Sequence, residues 1–325
     1  MEKAGSFISS VLGKGEPEKV SPTVKAIYIY PIKACRGVSV PQACVCPTGF
    51  RWDRQWLVVN SKGRSCTQRV EPKIALVEVS LPMEAFTEEW EPAADSFLIV
   101  KAPGMDPLQI PLLLQKTHEK VDNISMWEWS GSAFDEGSVA ANWFSMYLGK
   151  PSRLVRFDTV SEVRTTDADY ARGYKTMFSD EFPFLVISQG SLDALNKQLK
   201  EPLSINRFRP NIFIESCEPF AEDLWRTLRI NGFTFHGVKL CARCKVPTVD
   251  QETGVMGNEP SETLAKFRSG EILFSGKKAR GKVFFGQNLI CEESLNPRGR
   301  TGQVIRVGDS VHVLKKLCSS AEAAA

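Results

Sequence analysis

Glycine, proline and asparagine cut this sequence into short apolar runs, and that punctuation limits what the chain can build. Runs rich in valine, isoleucine and aromatic residues, bounded by turn residues, read as strands. They lie at Thr23–Ile32, Trp52–Asn60, Ala75–Leu81, Phe97–Val100, Ser125–Trp129 and Arg153–Phe157 in the first half. In the second half they lie at Phe184–Ser188, Ile212–Glu215, Phe233–Leu240, Val283–Ile290, Val304–Val307 and Ser310–Lys315. One long helical pattern interrupts them, Glu136–Leu148, with Val139, Ala140, Trp143, Phe144 and Tyr147 as its apolar stripe and Gly149 as its stop. Two short helices are expected over Ser191–Leu199 and Glu262–Arg268. Many short strands with few helices give a strand-rich α+β chain with a barrel or sandwich core, not a doubly wound sheet.

A chain of 325 residues is long enough for two domains with full cores. The polar, irregular stretch Asp158–Tyr174 is the natural border, giving a tail at 1–21, a first domain at 22–157 and a second at 158–325. Within the tail, Phe7, Ile8, Val11 and Leu12 allow at most one amphipathic turn. A net charge of +3 with scattered basic residues gives no nucleic-acid surface, and the densest run, Lys277, Lys278, Arg280 and Lys282, reads as a solvated loop. Nine cysteines at irregular spacing, with no secretory signal before them, fit reduced thiols in an intracellular, cytoplasmic setting. No apolar run approaches the length of a membrane span, so no transmembrane anchor is expected. His118, His236 and His312 are too far apart in sequence to suggest a histidine-rich metal centre.

The chemistry concentrates at Cys241-Ala242-Arg243-Cys244. The strand Phe233–Leu240 starts from Asn231-Gly232, a two-residue hairpin signal, and Pro247 stops it because proline has no ladder donor. Thiolates are soft ligands, and an arginine between them lowers their pKa and can hold an anion. Several readings fit the spacing. A thioredoxin-like redox pair wants its first cysteine at a helix N-terminus, whereas Cys241 ends a strand. A structural zinc site needs four ligands, and no second Cys-x-x-Cys is present. Two buried cysteines packing as small apolar groups remain equally open.

Three basic positions are also notable. The loop Lys33–Gly37, directly after a strand and carrying Lys33 and Arg36, is either an anion cradle or a surface loop. Arg54 is expected in mid-strand, on the face shared by Trp52 and Trp56. Arg207 and Arg209 are expected on one face of an extended segment before Pro210.

Seven segments then occur in one order: Ile29–Gly37, Asp53–Trp56, Ser179–Phe184, Asn206–Asn211, Cys241–Cys244, Asn258–Leu264 and Phe285–Gln287. Together they resemble the MOSC family of molybdenum-cofactor proteins, in particular the plant-type members of its amidoxime-reducing branch. Each motif alone is weak. The likeness covers about residues 22–317 and implies a MOSC-type β-barrel at 158–325 after a MOSC N-terminal β-rich domain at 22–157, whose first strands pack on the barrel.

The resemblance implies a molybdenum cofactor, molybdenum held by a pterin dithiolene, with Cys244 as the protein's thiolate ligand to the metal. Ala242 and Arg243 match positions beside that cofactor. Lys33, Arg54, Arg209 and Asn211 match positions that hold the pterin and its phosphate, and Asp180 lies in the matching active-site loop. The chain departs from its mammalian relatives at Ala34, where they have serine, and at Glu181 and Phe182, where they have small hydroxyl residues. Asn288 stands in place of a tyrosine. The resemblance implies that these four positions line the cofactor with altered polar side-chain contacts. The implied activity is reduction of N-hydroxylated compounds such as amidoximes and hydroxylamines, with electrons from NADH passed by cytochrome b5 reductase and cytochrome b5. The alternative is a cofactor-binding or carrier module like the MOSC tail of cofactor sulfurases. A mitochondrial association follows from the same branch, although the membrane anchor of its outer-membrane members is absent. The cofactor is expected in a cleft between the two halves, because Lys33 and Arg54 lie far upstream of Cys244.

Overall fold

The computed structural model describes residues 21–115, 118–274, 279–295, 304–319 and 322. The expected N-terminal tail lies almost wholly outside them, as do Lys277 and Lys278; Arg280 and Lys282 are exposed. The largest sheet has eight strands in the order Val38–Val40, Thr23–Ile29, Ile212–Glu215, Phe184–Ser188, Phe284–Cys291, Phe233–Ala242, Trp225–Ile230, Val311–Lys316. All its pairings are antiparallel except Phe184–Ser188 with Ile212–Glu215, which is parallel. A second sheet orders Trp56–Asn60, Ser152–Phe157, Trp129–Asp135 and Lys120–Met126. Smaller sheets complete the strand-rich α+β architecture.

The halves trade strands. Thr23–Ile29 enters the sheet of the second half against Ile212–Glu215, and Val304–Arg306 pairs back with Gln42–Cys46 of the first half. One apolar core follows from this exchange. It runs from Val24 through Trp56 and Phe144 to Phe184, Phe235 and Val311. The Phe284–Cys291 strand is buried along its whole length, as a central strand covered on both faces must be.

Local sequence accounts for several of these elements. Asn231 and Gly232 both take positive φ, 43° and 82°, as a two-residue hairpin turn with matching twist requires. The helix Gly137–Leu148 ends on Gly149 at φ 73°, and Ala140, Trp143 and Phe144 form its buried side. Val139, expected in that stripe, faces solvent. The short helix Gln189–Asn196 is capped by Ser188, which accepts from the Ser191 amide, so it begins slightly earlier than the pattern suggests.

Four expectations are corrected. Trp52–Gln55 is a turn, not strand, because Trp52 and Arg54 adopt φ of 71° and 48°; the strand begins at Trp56. Ala75–Leu81 is a 3-10 turn, Pro72–Leu76, followed by a short strand, Glu78–Ser80, since Pro72 presets a helical φ. Ser125–Trp129 spans a hairpin tip, with Trp127 at φ 55°, rather than a single strand. The acidic stretch Glu84–Glu91 is not wholly solvated, because its 3-10 turn Met83–Phe86 buries Ala85 and Phe86.

Candidate functional site: a basic cleft around the Cys-x-x-Cys

The segments 30–33 and 53–56 run side by side and set the floor of a cleft. Arg54 N donates to Tyr30 O at 2.8 Å, Trp56 N to Pro31 O at 3.0 Å, and Lys33 N to Trp56 O at 2.8 Å. The Asp53 carboxylate accepts from the Tyr30 amide at 2.8 Å. A loop from the second half closes the crossing, with Phe178 N donating to Arg54 O at 3.0 Å. The left-handed turn at Arg54 thus lifts its guanidinium out of the crossing. There it donates to Asp53 Oδ2 at 2.6 Å and Asn211 Oδ1 at 3.0 Å.

Tyr30 organises the arginines. Its ring lies 4.3 Å from the guanidinium carbons of both Arg54 and Arg209, and its hydroxyl donates to Pro210 O at 3.0 Å. Arg209 sits at φ 56° and donates to Cys35 O at 2.7 Å. Arg207 belongs to the 3-10 turn Ile205–Arg207 and pairs with Asp250 at 2.7 Å. The expectation that Arg207 and Arg209 share a face therefore fails, because the left-handed residue Arg209 turns the backbone between them.

The most buried cation of the cleft is Lys33, 7% exposed. Its ammonium donates to Phe178 O at 2.8 Å and to Asp180 Oδ1 at 2.5 Å. Burial lowers the Lys33 pKa, and the Asp180 charge opposes that shift. Burial pushes Asp180 upward, but the Lys33 charge and hydrogen bonds from Lys33 and Trp127 outweigh it and hold the carboxyl well below its usual range. Asp180 is accordingly an ionised acceptor at neutral pH.

The Cys-x-x-Cys lies across the cleft, at the end of Phe233–Ala242. Arg243 donates to Cys241 Sγ at 3.0 Å and to Phe208 O at 2.8 Å, while its buried Nε has no partner among the described residues. Burial raises the Cys241 pKa, partly offset by Arg243. Cys244 is exposed, and its sulfur receives only a long contact from the Val246 amide at 3.5 Å. The two thiols are therefore unlike: one is held by a guanidinium and the other is presented to the cleft. All nine cysteines carry free thiols. Among the described residues, no group of three or more His, Cys, Asp or Glu side chains is arranged to hold a metal ion by itself.

Every residue that the family resemblance marked lines this one cleft, whereas Arg36 and Arg207 pair with acids outside it. Lys33, Ala34, Arg54, Arg209 and Asn211 stand beside Asp180, Glu181 and Phe182, with Ala242, Arg243, Cys244 and Asn288 opposite. Ala34 takes φ 70°, and its carbonyl is held by Gln68 at 2.7 Å. The Glu181 carboxylate is drawn to Lys239 at 3.1 Å, and Phe182 is buried against Tyr170.

The sequence reading missed Gln68, Arg69, Trp127 and Arg164. The first three line the cleft from segments with no motif of their own. Arg164 holds the Asp180 loop from behind, donating to Met177 O at 2.9 Å and to the carbonyls of Ser179 and Asp180. In the sequence Arg164 carries no motif and lies only in the polar, irregular stretch Asp158–Tyr174.

Five cationic and two carboxylate side chains line the cleft, and among the described residues Arg69, Arg209 and Arg243 pair with no carboxylate. Such a surplus around a free soft thiol suits an anionic ligand that carries a thiophilic metal.

The model of the MOSC N-terminal beta barrel domain matches residues 21–151, and that of the MOSC domain matches residues 173–312. The sequence is 35% identical over 257 residues to mitochondrial amidoxime reducing component 2 of Rattus norvegicus, covering 76% of this chain and 72% of that protein. The chain belongs to the MOSC family. A second MOSC relative, mitochondrial amidoxime-reducing component 1 of Homo sapiens, is 34% identical over 302 residues, covering 90% of this chain and 83% of that protein. The molybdenum cofactor sulfurase of Danio rerio is 27% identical and covers 95% of this chain but only 36% of its own length. Among the described residues of this MOSC protein, no helix is long and apolar enough to cross a membrane.

Proposed function

We propose that this protein is a molybdenum-cofactor-dependent reductase of N-hydroxylated compounds, taking electrons from NADH through cytochrome b5 reductase and cytochrome b5. The observation that carries the reading is the convergence of Cys244, Asp180 and the unpaired guanidiniums of Arg209 and Arg243 in one cleft. The residues fit the cofactor: a free soft thiol for the metal, and half-buried guanidiniums for a phosphate. The unpartnered Arg243 Nε is a donor still in need of an acceptor.

Cys244 would bind the metal through its thiolate. Arg54, Arg209 and Asn211 would hold the phosphate and pterin, with Lys33 beneath them. Ala34, Ala242, Glu181 and Phe182 would contribute backbone groups, and Asn288 would line the pocket. The bound cofactor supplies a two-electron centre that exchanges oxygen with its substrate. Asp180, kept ionised by Lys33 and Trp127, accepts a hydrogen bond from the substrate's N–H side and is unsuited to donate a proton at neutral pH. Overall, the N–OH oxygen leaves as water with two electrons and two protons while NADH is oxidised.

The likeness to a sulfurase over a third of that protein's length keeps a carrier role as the competing reading. Turnover decides between them. The purified chain should contain molybdenum and pterin and should reduce benzamidoxime to benzamidine with NADH, cytochrome b5 reductase and cytochrome b5. Full cofactor content with no turnover would favour the carrier.

A further inference from the structure

Asp180 Oδ1 accepts from two sides: from Lys33 at the buried floor and from Trp127 Nε1 at 3.1 Å, on the open side. Trp127 sits at the tip of the hairpin between Lys120–Met126 and Trp129–Asp135, in a left-handed conformation, φ 55°, that few tryptophans adopt. Its side chain is large and apolar, yet the residue is 49% exposed. The Arg69 guanidinium lies over the indole at 4.1 Å from the ring centroid.

Arg69 makes no hydrogen bond or ion pair among the described residues; it stacks on Trp127. Stacking leaves the edge of a guanidinium, with its N–H donors, free for a planar acceptor. Two positions before it, Thr67 lines the same cleft, and its buried hydroxyl has no partner among the described residues. The hairpin tip is also anchored, since Ser65 N donates to Ser125 O at 3.0 Å and Ser125 N to Gly63 O at 2.9 Å. The wall is therefore built into the fold. It stands apart from the arginines grouped around Tyr30: Arg54 and Arg209 stack on a buried ring, whereas Arg69 stacks on a half-exposed one.

We infer that Arg69, stacked on Trp127, forms a subsite for a carboxylate carried by the substrate, and so selects N-hydroxylated compounds that bear an acidic substituent. This rests on the reductase reading for the reacting end of the molecule. That end lies against Asp180, an acceptor for N–H groups; the acidic end lies against Arg69, a donor for carboxylates; the flat part between them lies along the indole. Arg69 and Asp180 thus present opposite charges to the two ends of one ligand, a donor to its carboxylate and an acceptor to its N–H groups.

The test compares 3- and 4-carboxybenzamidoxime with unsubstituted benzamidoxime, using the holoprotein. A charge-assisted bidentate pair should favour the better-fitting carboxylated isomer by about tenfold or more in kcat/KM. Arg69→Gln should bring that ratio close to one, and Arg69→Glu should turn preference toward 4-aminomethylbenzamidoxime. Equilibrium titration with the matching carboxybenzamidine and with benzamidine, which are not reduced, reads the same preference without turnover. Both variants are checked for molybdenum content and thermal unfolding. If wild type turns over amidoximes with no preference for either acid, or Arg69→Gln keeps the preference, the subsite is refuted. Loss of molybdenum from Arg69→Gln would assign the residue to the cofactor and also refute it. A carboxybenzamidine preference that depends on Arg69 in a protein without turnover would uphold the subsite while rejecting the reductase reading.

Discussion

Cys241 and Cys244 are three positions apart in sequence, but the structure gives them different work. Cys241 is held through its sulfur by Arg243, while Cys244 is exposed to the cleft. Cys244→Ser replaces a soft, readily ionised ligand with a hard alcohol. Reduction of benzamidoxime should then be lost while the fold survives. Cys241→Ser should keep substantial activity, with a stability loss of about 1–3 kcal/mol, toward the lower end because the hydroxyl can still accept from Arg243. Molybdenum content and turnover of both variants check this, and the reverse pattern would exchange the roles of the two cysteines. Asp180 makes a pH prediction with a definite sign. Its folded pKa is depressed, so its contribution is present above the unfolded value near about 4 and is lost as pH falls through the lower folded value. The stability gap between wild type and Asp180→Asn should therefore hold from neutrality down to about pH 4 and close below it. Thermal unfolding across that range measures the gap; one that closed nearer pH 6 would point to another group.

Strands were legible wherever apolar runs met turn residues: Phe184–Ser188 and Ile212–Glu215 fall where the pattern puts them, and Asn231-Gly232 marked its hairpin. Two of the corrected segments, the turn at Arg54 and the hairpin tip at Trp127, line the cleft. Arg54, Arg209, Trp127 and Ala34 all have positive φ, which bulky or branched sequence patterns do not announce. Lys33, Arg54, Arg209 and Cys244 were legible through motif resemblance, whereas Arg69 and Trp127 were not, because a stack between distant loops leaves no local pattern. Arg268 is a similar case. At the end of the helix Ser261–Phe267 it donates to Phe284 O at 3.1 Å and to the buried carboxylate of Asp223. That contact ties the helix to the central strand and to the turn Ala221–Leu224. Arg268→Ala would leave a buried acid without its partner and should cost about 3–5 kcal/mol. Removing both charges, as Arg268→Met with Asp223→Leu, should cost much less. Urea unfolding of the single and double variants checks the coupling; equal losses would show that packing alone is at stake.

At the scale of the molecule, the exchange of strands makes the cleft a property of both halves. Thr23–Ile29 fills the place beside Ile212–Glu215, and Val304–Arg306 returns to pair with Gln42–Cys46. The backbone also ties the two ends of the chain: Val24 N donates to Asp309 O at 2.9 Å, Gly308 N to Val24 O at 2.8 Å, and Val311 N to Pro22 O at 2.8 Å. Cutting the chain at the sequence border would leave fragment 158–325 with the Ile212–Glu215 edge unpaired, a template for aggregation. It would also lack Lys33, Arg54 and Tyr30, so Arg209 would lose the ring it stacks on. Fragment 22–157 would in turn lose the partner of Gln42–Cys46. Neither fragment should fold cooperatively or retain pterin alone, whereas the two refolded together should restore one complex with a single thermal transition and bound cofactor. Size-exclusion chromatography, circular dichroism and pterin fluorescence read the outcome. A fragment 158–325 that melts cooperatively and holds stoichiometric molybdenum by itself would mean that the second half carries the whole site, and that the first half only covers it.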